Sequence, residues 1–389
     1  MKPKRIVVMG FMAGMPIAGV VWQHLHYIVG LQRLGHEVYY IEDSSRTPYD
    51  PVGFTYTLDD AYAVHTLETL ARRFGFEGRW AFCPRYDDPL KSKGMTYDRV
   101  RALYREADAV LNVCGSQELH EDVLASDRLI YIESDPGVEQ ILVDKGEAGP
   151  REHLQHYRAL FTFGENVPTA AFPVPLNGFE WHATRQPVVT DFWKADAPPP
   201  GAMFTSIANW NTSGSKDVAW RGETYLWSKS LEFLKFIEAP RLCGERFELA
   251  ADIKDPSIVE RFEANGWRVV DPHGRSRGVD DYRAYIQGSK AEFTAAKDQY
   301  VRLNTGWFSD RSACYLASGR PVITQDTGFG DHVRGDGGLF AFTTMAEALD
   351  AAARINADYD FHRRAAFDIA LEYFEATKVT ASILERAGV

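Results

Sequence analysis

The chain alternates two kinds of pattern along nearly its whole length. Short β-branched runs ending in glycine or polar residues are followed by longer stretches with apolar residues at helical spacing. In the first half the strand-like runs are Arg5–Met9, Glu37–Ile41, Trp80–Phe82, Ala109–Val113, Arg128–Ile132 and Leu160–Phe163. The helical stretches are Val20–Leu34, Leu58–Phe74 and Tyr97–Ala107. Periodicity then stops over Phe179–Met203, which carries Pro198–Pro200 in a row. The pattern restarts with strands at Phe204–Ala208, Phe247–Ala251, Arg268–Val270, Ala291–Thr294 and Pro321–Thr324. Helices are expected at Tyr225–Ile237, Asp281–Gln287, Ser309–Ala317, Met345–Asn356 and His362–Arg386. Such alternation implies crossover connections and parallel sheets. A chain of 389 residues is too long for one ordinary core,. The expectation is an α/β protein with two Rossmann-like parallel-sheet domains, 1–178 and 203–372, joined by a linker at 179–202 and facing across a cleft.

In an open parallel sheet, ligands bind at the carboxyl ends of the strands. The segments expected there are polar or glycine-rich: GFMAGMPIAG from Gly10, EDSS from Glu42, CGSQ from Cys114, ESDPG from Glu133 and GEN from Gly164. A carboxylate at such an end can orient a hydroxyl or act as general base, which singles out Glu133 and Asp135. Asp135 precedes Pro136-Gly137, so a plain turn explains it as well,. His120 and Glu165 are candidates on the same logic. His24 and His26 are two apart on a helix and point in different directions, the wrong spacing for paired metal ligands. The glycines at 10, 14 and 19 do not make a dinucleotide fingerprint, and no P-loop lysine follows them,.

Residues 306–330, GWFSDRSACYLASGRPVITQDTGFG, carry the sharpest signal. Ser309 or Asp310 suits the cap of a short helix with Arg311 and Ser312 in its first turn. The free N–H groups of that turn favour an anion, and Arg311 adds a forked donor. Ala313, Cys314, Leu316 and Ala317 would bury the helix, Gly319 ends it, and Asp326-Thr327-Gly328 follow the next strand.

A formal charge of −11 disfavours nucleic acid as the main partner, although a local cationic pocket is compatible with it,. Cys83, Cys114, Cys243 and Cys314 are far apart and read as free thiols, with no zinc spacing,. No stretch reaches membrane-spanning length and the N-terminal apolar run is too short for a signal peptide. A cytoplasmic protein, with room for peripheral membrane attachment, is expected.

The run Ala317-Ser318-Gly319-Arg320-Pro321-Val322-Ile323 resembles the donor-site signature of GT-B glycosyltransferases, especially the retaining group 1, family 4-like enzymes. The similarity is sharp over about residues 289–330, and its nearest kin are bacterial glycosyltransferase-like proteins. That family's paired glutamates would fall near Gly306 and Cys314, and neither is acidic; Asp310 is the nearest carboxylate to take the ribose-binding role. The resemblance implies a GT-B fold, with a C-terminal helix (about 373–389) crossing back onto the first domain. It implies transfer of a sugar from a nucleotide diphosphate to a small-molecule, glycan or lipid acceptor, without metal or other cofactor. Of Lys216, Arg221 and Lys229, the last two are expected on the donor diphosphate, with Ser309, Asp310, Arg311, Ser312, Asp326, Thr327 and Gly328 around the donor. Asp271 and His273 are expected near the base, with Trp210, Trp220, Trp227 and Trp307 on the same side. Gly14, Met15 and Gly115 would line the acceptor side with His120 and Glu165, and His24 is the histidine placed for an inverting base, against the commoner reading of a packed or capping histidine. A UDP-sugar 2-epimerase or a non-catalytic nucleotide-sugar-binding protein of the same fold are the alternatives. A nicotinamide enzyme is disfavoured by the glycine pattern.

Overall fold

The structure, a computed structural model, describes residues 2–210, 216–335 and 337–389. Two parallel sheets form its two lobes. The first contains β1 (Arg5–Met9), β2 (Glu37–Ser44), β3 (Trp80–Pro84), β4 (Lys93–Gly94), β5 (Ala109–Val113), β6 (Leu129–Glu133), β7 (Ala159–Thr162) and β8 (Trp181–Ala183). Their order is β8-β7-β6-β5-β1-β2-β3-β4, and only β3 with β4 pairs antiparallel. The second lobe contains β9 (Phe204–Ile207), β10 (Val218–Trp220), β11 (Glu223–Tyr225), β12 (Phe247–Ala250), β13 (Trp267–Val270), β14 (Ala291–Thr294), β15 (Val322–Gln325) and β16 (Leu339–Phe342). Its sheet runs β13-β12-β9-β14-β15-β16, parallel throughout, while β10 and β11 make a separate hairpin.

The apolar β-branched run of β1 is buried from Ile6 to Met9 because helices cover both faces of the sheet,. In each sheet the chain moves outward from its first strand, returns, and continues on the other side. The reversal falls between β1 and β5 in one lobe and between β9 and β14 in the other. Crevices at the carboxyl ends of such reversals are where ligands bind in this architecture.

Helix α1 (Ala18–Arg33) follows β1 and joins the lobes. Its Trp22 indole donates to the Val279 carbonyl at 2.9 Å, at the start of α3 (Val279–Gln287); α2 is Val138–Asp144. Gly30 of α1 lies against α5 (Ala376–Arg386), where a Cβ would stand 3.0 Å from Ala376 Cβ. Helix α5 thus packs along α1. It is not continuous from His362: the helix Tyr359–Ile369 passes through one π-helical stretch at Ala370–Phe374 and breaks at Glu375. There Val188 donates to Phe374 O (2.7 Å) and accepts from Ala376 N–H (2.8 Å).

Two other expectations change. The 179–202 segment is not without structure: Trp181–Ala183 is the edge strand β8 and Thr190–Trp193 is a helical turn. Residues 225–237 do not form one helix. The chain first makes the β10–β11 hairpin, and only Ser230–Lys235 is helical. Trp220 and Tyr225 of the hairpin bury themselves in the first lobe, and the Trp220 indole donates to Asp144 of α2 at 2.8 Å. All four cysteines are free. Among the described residues, no helix is long and apolar enough to cross a membrane.

Candidate functional site

The facing strand ends bring three lysines together. Lys297 follows β14, Lys216 precedes β10, and Lys229 caps the Ser230–Lys235 helix. They share an aromatic floor. Lys297 Nζ lies 3.1 Å and Lys216 Nζ 4.4 Å from the centre of the Trp227 ring, and Lys229 Nζ lies 5.4 Å from that of Trp307. The Trp307 and Tyr300 rings pack at 4.6 Å, and the Trp307 indole donates across the cleft to Ser134 O at 2.9 Å.

Asp135, in the loop after β6, enters this group from the opposite lobe. Lys297 donates to its Oδ1 at 2.6 Å, and the Tyr300 hydroxyl donates to the same oxygen. Burial pushes this carboxyl up, but Lys297, Lys216 and the two hydrogen bonds outweigh it and hold it at about 2,. Lys297 is lowered to about 8, because burial exceeds the help it receives from Asp135. Lys229 is pushed well below the lysine range by burial, then by Arg311 and Lys297. Its ammonium has no hydrogen bond or ion pair among the described residues, though the residue is only 9 % exposed. The cluster thus holds more positive charge than Asp135 neutralises.

Helix α4 (Asp310–Ala317) starts beside these cations. Ser309 is its cap residue, but its hydroxyl makes no capping bond. Asp310 faces the first lobe, where Gln23 of α1 donates to its Oδ1 at 3.1 Å. Burial raises Asp310 to about 7, opposed by the Gln23 bond and aided by Asp135. Ser312 is fully buried with an unpartnered hydroxyl among the described residues. Arg311 does not present a free fork. Its guanidinium pairs with buried Glu292 and donates to Ile207 O and Thr294 Oγ1, both at 2.7 Å. It ties β9 to β14 at the strand reversal, beneath the lysines.

The remaining donor-side residues separate into three places. Asp326 Oδ1 accepts from Gly328 N–H (2.8 Å) and Thr327 Oγ1 donates to Trp307 O. Gly328, at φ +86°, accepts from Asn166 of the other lobe at 3.3 Å, and a Cβ there would strike Asn304 and Asn166. This loop latches the lobes together. Asp271 and His273 form a 2.6 Å pair after β13, with the His273 ring edge-on to Phe54 of the first lobe at 4.5 Å. Arg221 does not join the lysines. It sits exposed at the hairpin tip, stacked on Trp220 at 4.3 Å. Trp227 and Trp307 belong to the cationic group, whereas Trp210 packs with Phe233 and Phe262, and Trp220 with the first lobe.

On the acceptor side several expectations are corrected. His24 is fully buried beneath Gly10 and Phe11, its Nδ1 against Val20 O at 2.8 Å, and burial lowers it to about 4. It is closed off from the cleft. The N–H groups of the first loop turn inward: Ala13 and Gly14 donate to buried Glu42, and Met15 donates to Phe11 O. Burial, opposed by these bonds and that of Tyr40, leaves Glu42 at about 7. Glu133 accepts from Thr162 and Gln140 below the cleft surface, raised to about 8 by burial. Glu165 pairs with Arg185, and His120 lies in a network with Asp43 (2.9 Å) and Arg85 (2.9 Å). Gly115 adopts φ +56° with a Cβ position 2.6 Å from the Tyr131 ring, so only glycine lets this loop settle on β6,.

Lys297, Tyr300 and Gln23 were not singled out by the sequence. Lys297 is the first cation after a strand run ending Thr294-Ala295-Ala296, and that position was the available signal. Among the described residues no group of three or more His, Cys, Asp or Glu could hold a metal ion.

No protein-family model and no curated protein sequence matches the chain. Solved structures do. An α-glucosyltransferase in complex with UDP aligns with TM-score 0.59 at 11 % identity, over 99 % of this chain and 100 % of that one. HepE from Anabaena in complex with UDP and glucose aligns at 0.53 with 13 % identity, over 99 % of each chain. AviGT4, a glycosyltransferase involved in avilamycin A biosynthesis, aligns at 0.52 with 14 % identity over 99 % of this chain and 97 % of its own. The α-glucosyltransferase is also solved with UDP and a 13-mer DNA. The chain has the GT-B fold, end to end.

Proposed function

We propose that the protein is a glycosyltransferase that takes a sugar from a nucleotide diphosphate donor, with Lys229, Lys297 and Lys216 holding the diphosphate. The observation that carries this is the gathering of three lysines around the single carboxylate of Asp135 at the C-terminal lobe's strand ends, with Lys229 buried and unpaired among the described residues. A buried lysine without a counter-ion gives up its proton readily, as the lowered Lys229 does, and an anionic ligand that supplies the counter-charge favours the ammonium form,. The UDP bound by the structural neighbours supports a nucleotide donor.

In the reaction an acceptor hydroxyl oxygen bonds to the sugar's C1 while the bond from C1 to the β-phosphate oxygen breaks. The electron pair leaves on the nucleoside diphosphate, and the hydroxyl proton passes to a carboxylate. Positive groups fixed beside the departing phosphate stabilise charge where it develops. The lysines supply that term, Arg311 fixes the strand ends beneath them, and Asp135 yields Lys297 to the phosphate. Asp310, half-buried and facing the other lobe, is suited to receive the proton, since its raised carboxyl lies near working pH,. Asp271 and His273 extend the donor side toward the rim, where a base would lie against the His273 ring.

The test is a thermal-shift screen with UDP-, GDP-, ADP- and TDP-sugars, followed by hydrolysis and transfer assays on the best binder. Stabilisation by one nucleotide class and release of its diphosphate are expected. No stabilisation by any of them refutes the reading, and release of an epimer without transfer replaces it with the epimerase.

A further inference from the structure

The first lobe carries a cavity of about 410 Å³ that none of the donor-side residues line. It lies over the loop that follows β5 and against the helix Ala148–Gln155. Its size falls within the range of small-molecule sites. Its walls do not have the usual apolar character. Among the described residues, Leu119 is the one large apolar side chain lining it, against Arg46, Gln117, Glu118, Glu152, His153 and His156.

The polar groups are mixed in kind. Arg46 can only donate, Glu118 and Glu152 can only accept when ionised, and a neutral imidazole does both. His153 is kept neutral by burial and by His156, which lower its pKa. One guanidinium against two carboxylates gives no excess of positive charge to draw an anion. The Gln117 amide is already satisfied by Asp43 N–H and Gly10 O, but an alkyl chain or a flat aromatic ring would desolvate Arg46, Glu152 and the two histidines without pairing them,. A molecule rich in hydroxyls, each both donor and acceptor, matches them.

A chain of contacts connects the cavity to Asp310. Gly115 lines it, and the preceding Cys114 donates its thiol to Gln23 Oε1 at 3.1 Å, the same Gln23 that donates to Asp310. We infer that this cavity binds the acceptor, and that the acceptor is an uncharged saccharide or similar polyol rather than a lipid or an aromatic alcohol. This rests on the glycosyltransferase reading and names the substrate class for its acceptor side.

Gly149 provides a clean test. It lines the cavity, and nothing lies within 4 Å of the position its Cβ would take, so the backbone accepts a side chain there and Gly149→Trp places a large one at the cavity wall. Saturation-transfer NMR of the full chain with UDP would be run against methyl α-glucoside, methyl β-galactoside, methyl α-mannoside, phenol and octanol. At least one methyl glycoside is expected to bind, with the signal at least tenfold weaker in Gly149→Trp and the UDP affinity unchanged within twofold. Absence of binding by every methyl glycoside, equal binding in the variant, or preference for phenol or octanol overturns the inference. UDP affinity, read on the same samples, reports on the donor site separately. Its absence alongside Trp-sensitive saccharide binding sinks the donor assignment while leaving the saccharide site standing.

Discussion

Replacing Lys229 with methionine should move stability and ligand affinity in opposite directions. The side chain is nearly fully buried, carries no counter-ion among the described residues, and is pushed well below its ordinary pKa by burial and by Arg311 and Lys297. In the free protein it is therefore a liability. Exchanging a buried, unpaired amine for an apolar chain of similar shape removes a burial cost of about 1–3 kcal/mol. For a chain of 389 residues that raises Tm by roughly 1 °C per kcal/mol,. In the complex the same ammonium makes charge-assisted bonds to phosphate worth about 1.5–3 kcal/mol, so UDP should bind roughly tenfold to hundredfold more weakly. Calorimetric scans without ligand, paired with UDP titrations at pH 7, measure both. A variant that melts lower while binding UDP as tightly as the parent would show that Lys229 serves packing, and the reasoning fails.

Lys297 sets a pH dependence. Its folded pKa, about 8, lies below its unfolded value, so the unfolded chain holds this proton more tightly and stability from this group rises between about pH 8 and 10.5,. Anion binding needs the proton, so UDP affinity should fall above about pH 8, with proton uptake on binding seen as a buffer-dependent heat at pH 8.5. Asp135→Asn removes the carboxylate that occupies Lys297 and should tighten UDP binding about tenfold while lowering stability. The parent's contribution from Asp135 is present above about pH 4 and is lost as pH falls through about 2, a dependence the variant lacks in acid-unfolding curves,. Arg311→Met should cost about 3–5 kcal/mol by stranding Glu292, and the double change with Glu292→Met should recover most of it in denaturant melts. No recovery in the double variant contradicts the positioning role.

The fold was legible because parallel strands buried on both faces read as unbroken apolar runs, as in Ile6–Met9 of β1, Trp80–Cys83 of β3 and Leu129–Ile132 of β6,. Helix Asp310–Ala317 was equally plain, since small apolar residues fill it between a polar start and Gly319. The hairpin at Val218–Tyr225 was hidden because its aromatic residues suit a helix as well as a strand. What decides the matter is burial of Trp220 and Tyr225 in the distant first lobe. Strand β8 has three residues, too few for alternation to show. In the site, Asp135 and Lys229 could be found because each follows a strand or precedes a helix at the cleft. The sequence could not reveal that Arg311 would be consumed by Glu292, or that the first loop's N–H groups would close on Glu42. Both depend on which carboxylate the folded sheet places beneath them. The same limit applies to His24, since a histidine in the second turn of a helix looks alike whether it faces the cleft or the sheet; here it takes the packed alternative.

A crystal structure of the protein with UDP is the most direct measure of the central claim. The account predicts the diphosphate between the lobes, its oxygens at about 2.7–2.9 Å from the ammonium groups of Lys229 and Lys297, and Asp135 drawn away from Lys297. Diphosphate bound elsewhere, or a complex in which Asp135 keeps Lys297 and Lys229 touches no phosphate oxygen, would contradict it.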